Sequence, residues 1–168
     1  MLRFSSTSPS TARSRLWHHP WVQALRVVGQ NTLPVAATAP GVFTSGGSQG
    51  LIVNADGTLN SASNPAAAGS IVYFYATGAD VFQGPTLTDG QIVSTATTPT
   101  STPAAKVGME LGTGTDIKIT YKGPAPGFIA GLIQVNFLVP PSLTPNSAVP
   151  LTLNIGGVQS SAVTIAVH

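Results

Sequence analysis

Cysteine is absent from this chain, histidine is nearly so, and charge of either sign is scarce. Without cysteine there is no disulfide framework, no thiolate-held zinc and no thiol nucleophile. A chain of 168 residues needs none of these to fold, because a domain of that size buries roughly two-thirds of the surface its unfolded chain exposes. Their lack leaves secretion open. Of the three histidines, His18 and His19 lie near the start and His168 is the last residue. A Ser-His-Asp triad needs a histidine base held against a serine on a sharp elbow, so none is expected in the body of the chain. Charged residues make up 7% of the sequence, against about 25% in an average domain. Glycoside hydrolysis needs two carboxylates held about 5–10 Å apart. The acids number five: Asp56, Asp80, Asp89, Glu110 and Asp116. Asp56 and Asp89 directly precede glycine and Asp80 closely follows Gly78, so turn formation accounts for three of them. The chain is accordingly read as no enzyme, with no catalytic residue, cofactor or metal site.

Long hydrophobic runs are also missing. No stretch approaches the ~20 apolar residues of a membrane-spanning helix, so no span is expected. Every arginine (Arg3, Arg13, Arg15 and Arg26) falls in the first 26 residues, and no acid precedes Asp56. From residue 31 onward three lysines face five acids, which leaves the body at −2 although the whole chain carries +2. Nucleic-acid binding needs cations clustered on a folded face, and the body has no such cluster. Residues 1–30 hold both tryptophans, Trp17 and Trp21, and a low-complexity Ser5–Thr11 run. A signal peptide needs about 7–15 uninterrupted apolar residues, and His18-His19-Pro20 interrupts the only candidate. Residues 1–30 are read as a disordered or non-native appendage, and residues 31–168 as one domain, patterned from about residue 33.

Glycine (18) and proline (14) are abundant, hydrophobic residues reach 42%, and serine, threonine, asparagine and glutamine supply the polarity. That mixture suits many short strands joined by tight turns. Period-2 alternation recurs in Ile117–Lys122, Ile133–Phe137, Val149–Ile155 and Val163–Val167, each placing apolar side chains on one face. Ile71–Tyr75 is apolar on both faces and reads as a central strand. Weaker strands are expected at Val35–Ala39, Leu51–Asn54, Gln91–Ser94 and Ala105–Leu111. Turn signals separate them, among them Asp56-Gly57, Asn64-Pro65, Thr77-Gly78, Pro140-Pro141 and Gly156-Gly157. The Thr- and Pro-rich stretch Thr95–Pro103 reads as an exposed loop. Eight or nine short strands without helical periodicity predict an all-β fold: an immunoglobulin-like antiparallel β-sandwich of Greek-key type. Ala39-Pro40-Gly41-Val42-Phe43 followed by Gly50-Leu51-Ile52 is echoed by Ala125-Pro126-Gly127-Phe128-Ile129 followed by Gly131-Leu132-Ile133. The echo reads either as a duplicated strand–turn–strand unit or as coincidence in a chain rich in glycine and proline.

Several motifs occur in a telling order: Thr38-Ala39-Pro40-Gly41-Val42-Phe43, Asn54-Ala55-Asp56-Gly57-Thr58-Leu59-Asn60-Ser61, Asn64-Pro65-Ala66, Tyr75-Ala76-Thr77-Gly78, Ala125-Pro126-Gly127-Phe128, Gln134-Val135-Asn136 and Gly156-Gly157. Together they resemble an uncharacterised C-terminal domain family abundant in acidobacterial exported proteins, over about residues 33–168. The resemblance implies an extracellular immunoglobulin-like module of unknown function, usually last in a longer exported chain, and supplies no catalytic residues. Ala79-Asp80-Val81 departs from the usual Gly-Leu-Gly at that point.

The expected function is therefore a non-catalytic structural or adhesion module at the cell surface or outside the cell. Its partners would be neighbouring extracellular modules or surface glycans, and its oligomeric state stays open. A carbohydrate-binding accessory domain is the alternative, with Tyr73, Tyr75, Tyr121 and Phe128 as possible stacking partners, although aromatics are also ordinary strand residues. Tyr121 and Phe128 are the candidate ligand-binding residues. Pro124 and Pro126 restrict the backbone ahead of Gly127 and predict a rigid corner. That corner either buries Phe128 as a core plug, the expected role, or presents it as a contact surface. Asn54-x-Asp56-Gly57 superficially resembles a calcium loop, but Ile52 and Ser63 would fall at ligand positions one and twelve, so a turn is expected there.

Overall fold

The computed structural model describes residues 36–79, 82–83, 87–88, 90–94, 102–103, 107–111 and 115–168. Residues 1–30, Asp80, Asp89 and most of the Thr95–Pro103 stretch lie outside the described residues. Fourteen strands follow in chain order: β1 (Gly41–Val42), β2 (Thr44–Gly46), β3 (Gln49–Gly50), β4 (Ile52–Val53), β5 (Ile71–Thr77), β6 (Phe82–Gln83), β7 (Thr102–Pro103), β8 (Val107–Leu111), β9 (Thr115–Asp116), β10 (Ile119–Pro124), β11 (Ile133–Leu138), β12 (Asn146–Ile155), β13 (Val158–Gln159) and β14 (Val163–Val167). Among the described residues there is no helix, as the all-β reading requires.

Two sheets pack on one another. The first runs β1-β5-β11-β10, with β4 also pairing β5; the second runs β2-β3-β14-β12-β8-β9, with β13 pairing β12. β6 and β7 form a separate short ladder. The core lies between the sheets. Val72, Phe74 and Ala76 of β5 and Ile133, Val135 and Phe137 of β11 meet Leu111 of β8, Leu151, Leu153 and Ile155 of β12, and Val163, Ile165 and Val167 of β14. Phe74 and Phe137 meet edge to face, with centroids 6.1 Å apart. The inward positions are those that the alternation marks, because successive side chains on a strand point to opposite faces. β5 is central in its sheet, between β11 and the short β1 and β4.

The structure departs from the sequence reading in five places. The sheets are not wholly antiparallel, since β3 runs parallel to β14. Residues 36–39 form no strand, and Gln91–Ser94 contributes a single bridge, Ile92 to Ile129. Thr102–Pro103, expected in the loop, pairs with Phe82–Gln83. Most consequentially, the alternation of Ile117–Lys122 does not hold. Ile119 pairs with Phe137, but after a register shift Tyr121 pairs with Asn136 and Lys122 with Val135. A bulge adds one residue and reverses the facing of everything beyond it. Ile119 therefore shares the inward face of Phe137, while Tyr121 joins the outward face of Asn136.

The outer edge of β14 is closed by the segment that precedes β5. Thr164 donates its amide to the Ser48 carbonyl (2.8 Å), Ala66 donates to Ala166 (2.9 Å), and His168 donates to Ala66 (2.9 Å) while its own carbonyl accepts from Ala68. Between these backbone contacts a side chain completes the row. Asn60, 2% exposed, accepts from the Ala166 amide at 2.8 Å and donates to the Ala166 carbonyl at 2.9 Å. A primary amide carries the donor and acceptor of a peptide unit, so Asn60 stands where a strand residue would. Its remaining capacity goes to Asn54 Oδ1 (3.0 Å) and to Gln49 Nε2 (3.2 Å), and Asn54 in turn donates to the Asn64 carbonyl. The Asn-rich motif between residues 54 and 64 thus builds a polar staple.

Candidate functional site

The outward positions of the first sheet follow from its register. β5 contributes Ile71, Tyr73, Tyr75 and Thr77; β11 contributes Gln134 opposite Tyr75, Asn136 opposite Tyr73 and Leu138 opposite Ile71; β10 contributes Tyr121 opposite Asn136 and Gly123 opposite Gln134. Two positions apart on β5, Tyr73 and Tyr75 share this face because of the strand's period. Their rings meet edge to face, with centroids 5.9 Å apart and an interplanar angle of 79°.

Phe128 joins them from the corner between β10 and β11. Backbone hydrogen bonds tie the corner down. Gly127 takes a φ of 80°, which favours glycine, and its amide donates to the Val93 carbonyl at 2.8 Å. Phe128 donates to Ala125 and accepts from Val93 (2.8 Å). Ala125 is fully buried. The core-plug expectation for Phe128 is overturned: the ring is 45% exposed and lies 5.1 Å from Tyr75, tilted by 52°. The core beneath is already filled by Phe74 and Phe137, and the positive φ at Gly127 turns the chain outward over the sheet. Tyr121 lies on the same outward face at the β10 edge, where its hydroxyl donates to the Pro124 carbonyl (2.8 Å) and braces the corner.

Two amides lie beside the rings. Gln134 Nε2 donates to Asn136 Oδ1 at 2.8 Å. Sequence alternation placed both outward; the register, invisible in the sequence, sets them beside Tyr75 and Tyr73. Burial raises the Tyr75 phenol above its ordinary value, and ionisation of Tyr73 would raise it further. None of these outward side chains is charged; exposed Lys118 borders the face at its far end, where its carbonyl accepts from the Leu138 amide (3.0 Å). The outer face of the second sheet differs. It carries Thr152, Asn154 and Thr164, and the register places positions 110 and 116, both acids, across from one another beside Thr152.

One serine, one histidine and one aspartate do line a common cleft elsewhere. An open cleft of about 280 Å³ is lined by Asp56, Ser70 and His168, together with Asn54, Asn64 and Pro65. Their hydrogen bonds do not form a relay. Ser70 Oγ donates to the Ala67 carbonyl (2.6 Å), and Asp56 Oδ1 accepts from the Thr58 amide and hydroxyl (3.0 and 2.6 Å). Those two Thr58 bonds hold the Asp56 carboxyl below its ordinary range, the side-chain bond contributing most. This is the expected Asp-Gly turn, with Gly57 at a φ of 84°. Gly46-Gly47-Ser48-Gln49-Gly50 has the spacing of a hydrolase nucleophile elbow, a match absent from the reading above. Here it forms the hairpin between β2 and β3 and leads into β4, whereas an elbow leads into a helix.

Among the described residues, no group of three or more His, Asp or Glu side chains is placed to hold a metal ion, and no helix is long and apolar enough to cross a membrane. Compared with protein-family models, curated proteins and solved structures, the chain matches none.

Proposed function

We propose that this chain is a non-catalytic extracellular module of structural or adhesive role, of the immunoglobulin-like Greek-key type, and normally the C-terminal part of a larger exported protein. The strand order supports the fold assignment. The chain passes from β5 in one sheet to β8 and β9 in the other, returns through the β10–β11 hairpin, and finishes with β12 beside β8 and β14 on the far side of β12. That alternation between sheets is compatible with the Greek-key connections of immunoglobulin-like sandwiches, and the motif resemblance points the same way. The parallel contact of β3 with β14 fits a first strand shared between both sheets.

The observation that carries the functional reading is the contrast between the two outer faces. The described outward side chains of one are threonine and asparagine, as on a solvated face. The other sets Tyr73, Tyr75 and a half-exposed Phe128 beside two amides, with Lys118 only at the far end, opposite Leu138. Aromatics with a polar handle suit contact surfaces, and a charge-poor cluster of them on a rigid sheet suits adhesion better than solvation.

The test is attachment. Beads coated with the 168-residue chain are applied to immobilised bacterial envelope fragments, with and without protease digestion of the fragments. Beads carrying the Tyr75→Ala/Phe128→Ala double variant serve as comparison, after circular dichroism shows that its fold is intact. The expected result is attachment that falls at least fivefold in the double variant. Equal attachment by both, or none by either, would reject the reading.

A further inference from the structure

We infer that the outward face of the β5–β11–β10 sheet binds a single neutral sugar chain, with a pyranose ring seated against Tyr75 and Phe128 and its hydroxyls bonded by Gln134 and Asn136. The inference rests on the adhesive reading and names the ligand class of that face.

Three observations select this class. The first is the unspent hydrogen-bonding capacity beside the rings. Gln134 and Asn136 bond one another through one donor and one acceptor. Among the described residues no further protein partner is present for either amide, and none for the hydroxyls of Tyr73 and Tyr75. Whichever way the Gln134–Asn136 bond runs, one amide donor pair and one carbonyl acceptor remain open. Vicinal sugar hydroxyls, each both donor and acceptor, match such a pair. An apolar protein surface laid over this face would leave those groups unpaired, at a cost in free energy.

The second observation is charge. Lys118 borders the face only at its far end, opposite Leu138, and no charged side chain stands at the described outward positions beside Tyr73, Tyr75 and Phe128, so the notch itself offers little to pair with a uronate, sulfate or phosphate group. A charged glycan would lose hydration there without compensation.

The third is ring geometry. The aromatics are not coplanar: Tyr73 and Tyr75 meet at 79°, and Tyr75 and Phe128 at 52°. A flat row would suit the planar face of a crystalline polysaccharide. Tilted rings form a notch, which suits one chain in solution. The notch is held before any ligand arrives, since the corner bonds of Gly127 and Phe128 to Val93 fix one wall and the β5 backbone fixes the other. Preorganisation of this kind lowers the entropic cost of binding.

The test uses the full chain in titration calorimetry with cellohexaose, xylohexaose and laminarihexaose, and with oligogalacturonate as the charged comparison. At least one neutral hexaose should bind. Phe128→Ala should weaken that binding tenfold or more, and Gln134→Ala several-fold, with the melting temperature of each close to that of the parent. Tyr75→Phe, which keeps the ring, should bind more tightly than Tyr75→Ala. Phe128 is half exposed, so its variant keeps the test valid even if Tyr75→Ala fails to fold. Failure of all three neutral hexaoses at millimolar concentration would overturn the inference, as would preference for oligogalacturonate or undiminished binding by Phe128→Ala. Protease-sensitive bead attachment together with no hexaose binding would mean a protein partner: the adhesive reading would stand and this one would fall.

Discussion

Replacing Asn60 with alanine tests whether a side-chain amide substitutes for a strand. The change removes four hydrogen bonds of the Asn60 side chain, two to Ala166 and one each to Asn54 and Gln49. The consequences are unequal. The Ala166 carbonyl keeps the Ala66 amide as donor, and Gln49 Nε2 keeps longer contacts to the Gly50 and Asn60 carbonyls. The Ala166 amide, in a fully buried residue, is left with no partner. A buried unsatisfied group costs about 1–3 kcal/mol, and an ordinary lost bond such as that to Asn54 about 0.5–1.5 kcal/mol. The expected loss is therefore about 2–4 kcal/mol. For a domain of this size that is a fall in Tm of about 6–20 °C. Urea unfolding followed by circular dichroism gives the free energy, and hydrogen exchange at the Ala166 amide reports the local effect. Asn60→Asp refines the test, because its carboxylate would face two acceptors, Asn54 Oδ1 and the Ala166 carbonyl. The folded-state pKa of that carboxyl would rise above its unfolded value of about 3.9, so the variant should be most stable at low pH and lose stability as pH rises through the folded pKa. A loss below ~0.5 kcal/mol for Asn60→Ala, with unchanged exchange at Ala166, would refute the staple.

Phe137→Ala should cost ~3–5 kcal/mol in urea unfolding, since the ring is fully buried, whereas Phe128→Ala should cost under ~1 kcal/mol; similar losses would mean that Phe128 is core after all. Gly78→Ala should destabilise by at least ~2 kcal/mol, because Gly78 has a φ of 76° and a Cβ there would run into the Ala39 carbonyl. The Asp56 carboxyl should titrate below its ordinary value of 3.8 in a carbon-detected NMR experiment, its contribution to stability being present above the unfolded value and lost as pH falls through the folded one. Thr58→Val should move that titration back up. In spectrophotometric titration at alkaline pH, Tyr75 should ionise above its ordinary value of 10.0, and an ordinary value would show that the phenol is less buried than it stands here.

The legible part of this fold was the part governed by period-2 burial. Val135, Phe137, Leu151, Leu153 and Ile165 are inward because alternation on a two-layer sandwich leaves no other choice. What escaped was set by events that leave no periodic trace. The bulge after Ile119 carries no glycine or proline to mark it, and it moved Tyr121 to the opposite face from the one its pattern implied. The parallel contact of β3 with β14 joins residues more than a hundred positions apart. Phe128 read as core because it is large and apolar; its exposure depends on the core volume having been taken by Phe74 and Phe137, which is a tertiary fact. The asparagine motif was visible as a motif, but its role as a staple required knowing that Ala166 lies beside Asn60.

The closed edge of β14 also has a mechanical consequence. Segment 48–49 and the bridge at Ala66 both run parallel to β14. Tension drawn through the module from its N-terminal side to its C-terminal side would slide parallel neighbours along one another. Bonds arranged in that way take the strain together, whereas a peeled antiparallel hairpin gives up one bond at a time. The Asn60 bracket on Ala166 lies within this row, so the same amide that completes the edge would also act as a latch against stretching. Single-molecule extension should show a lower rupture force for Asn60→Ala than for Asn146→Ala, whose side chain bonds only within its own turn.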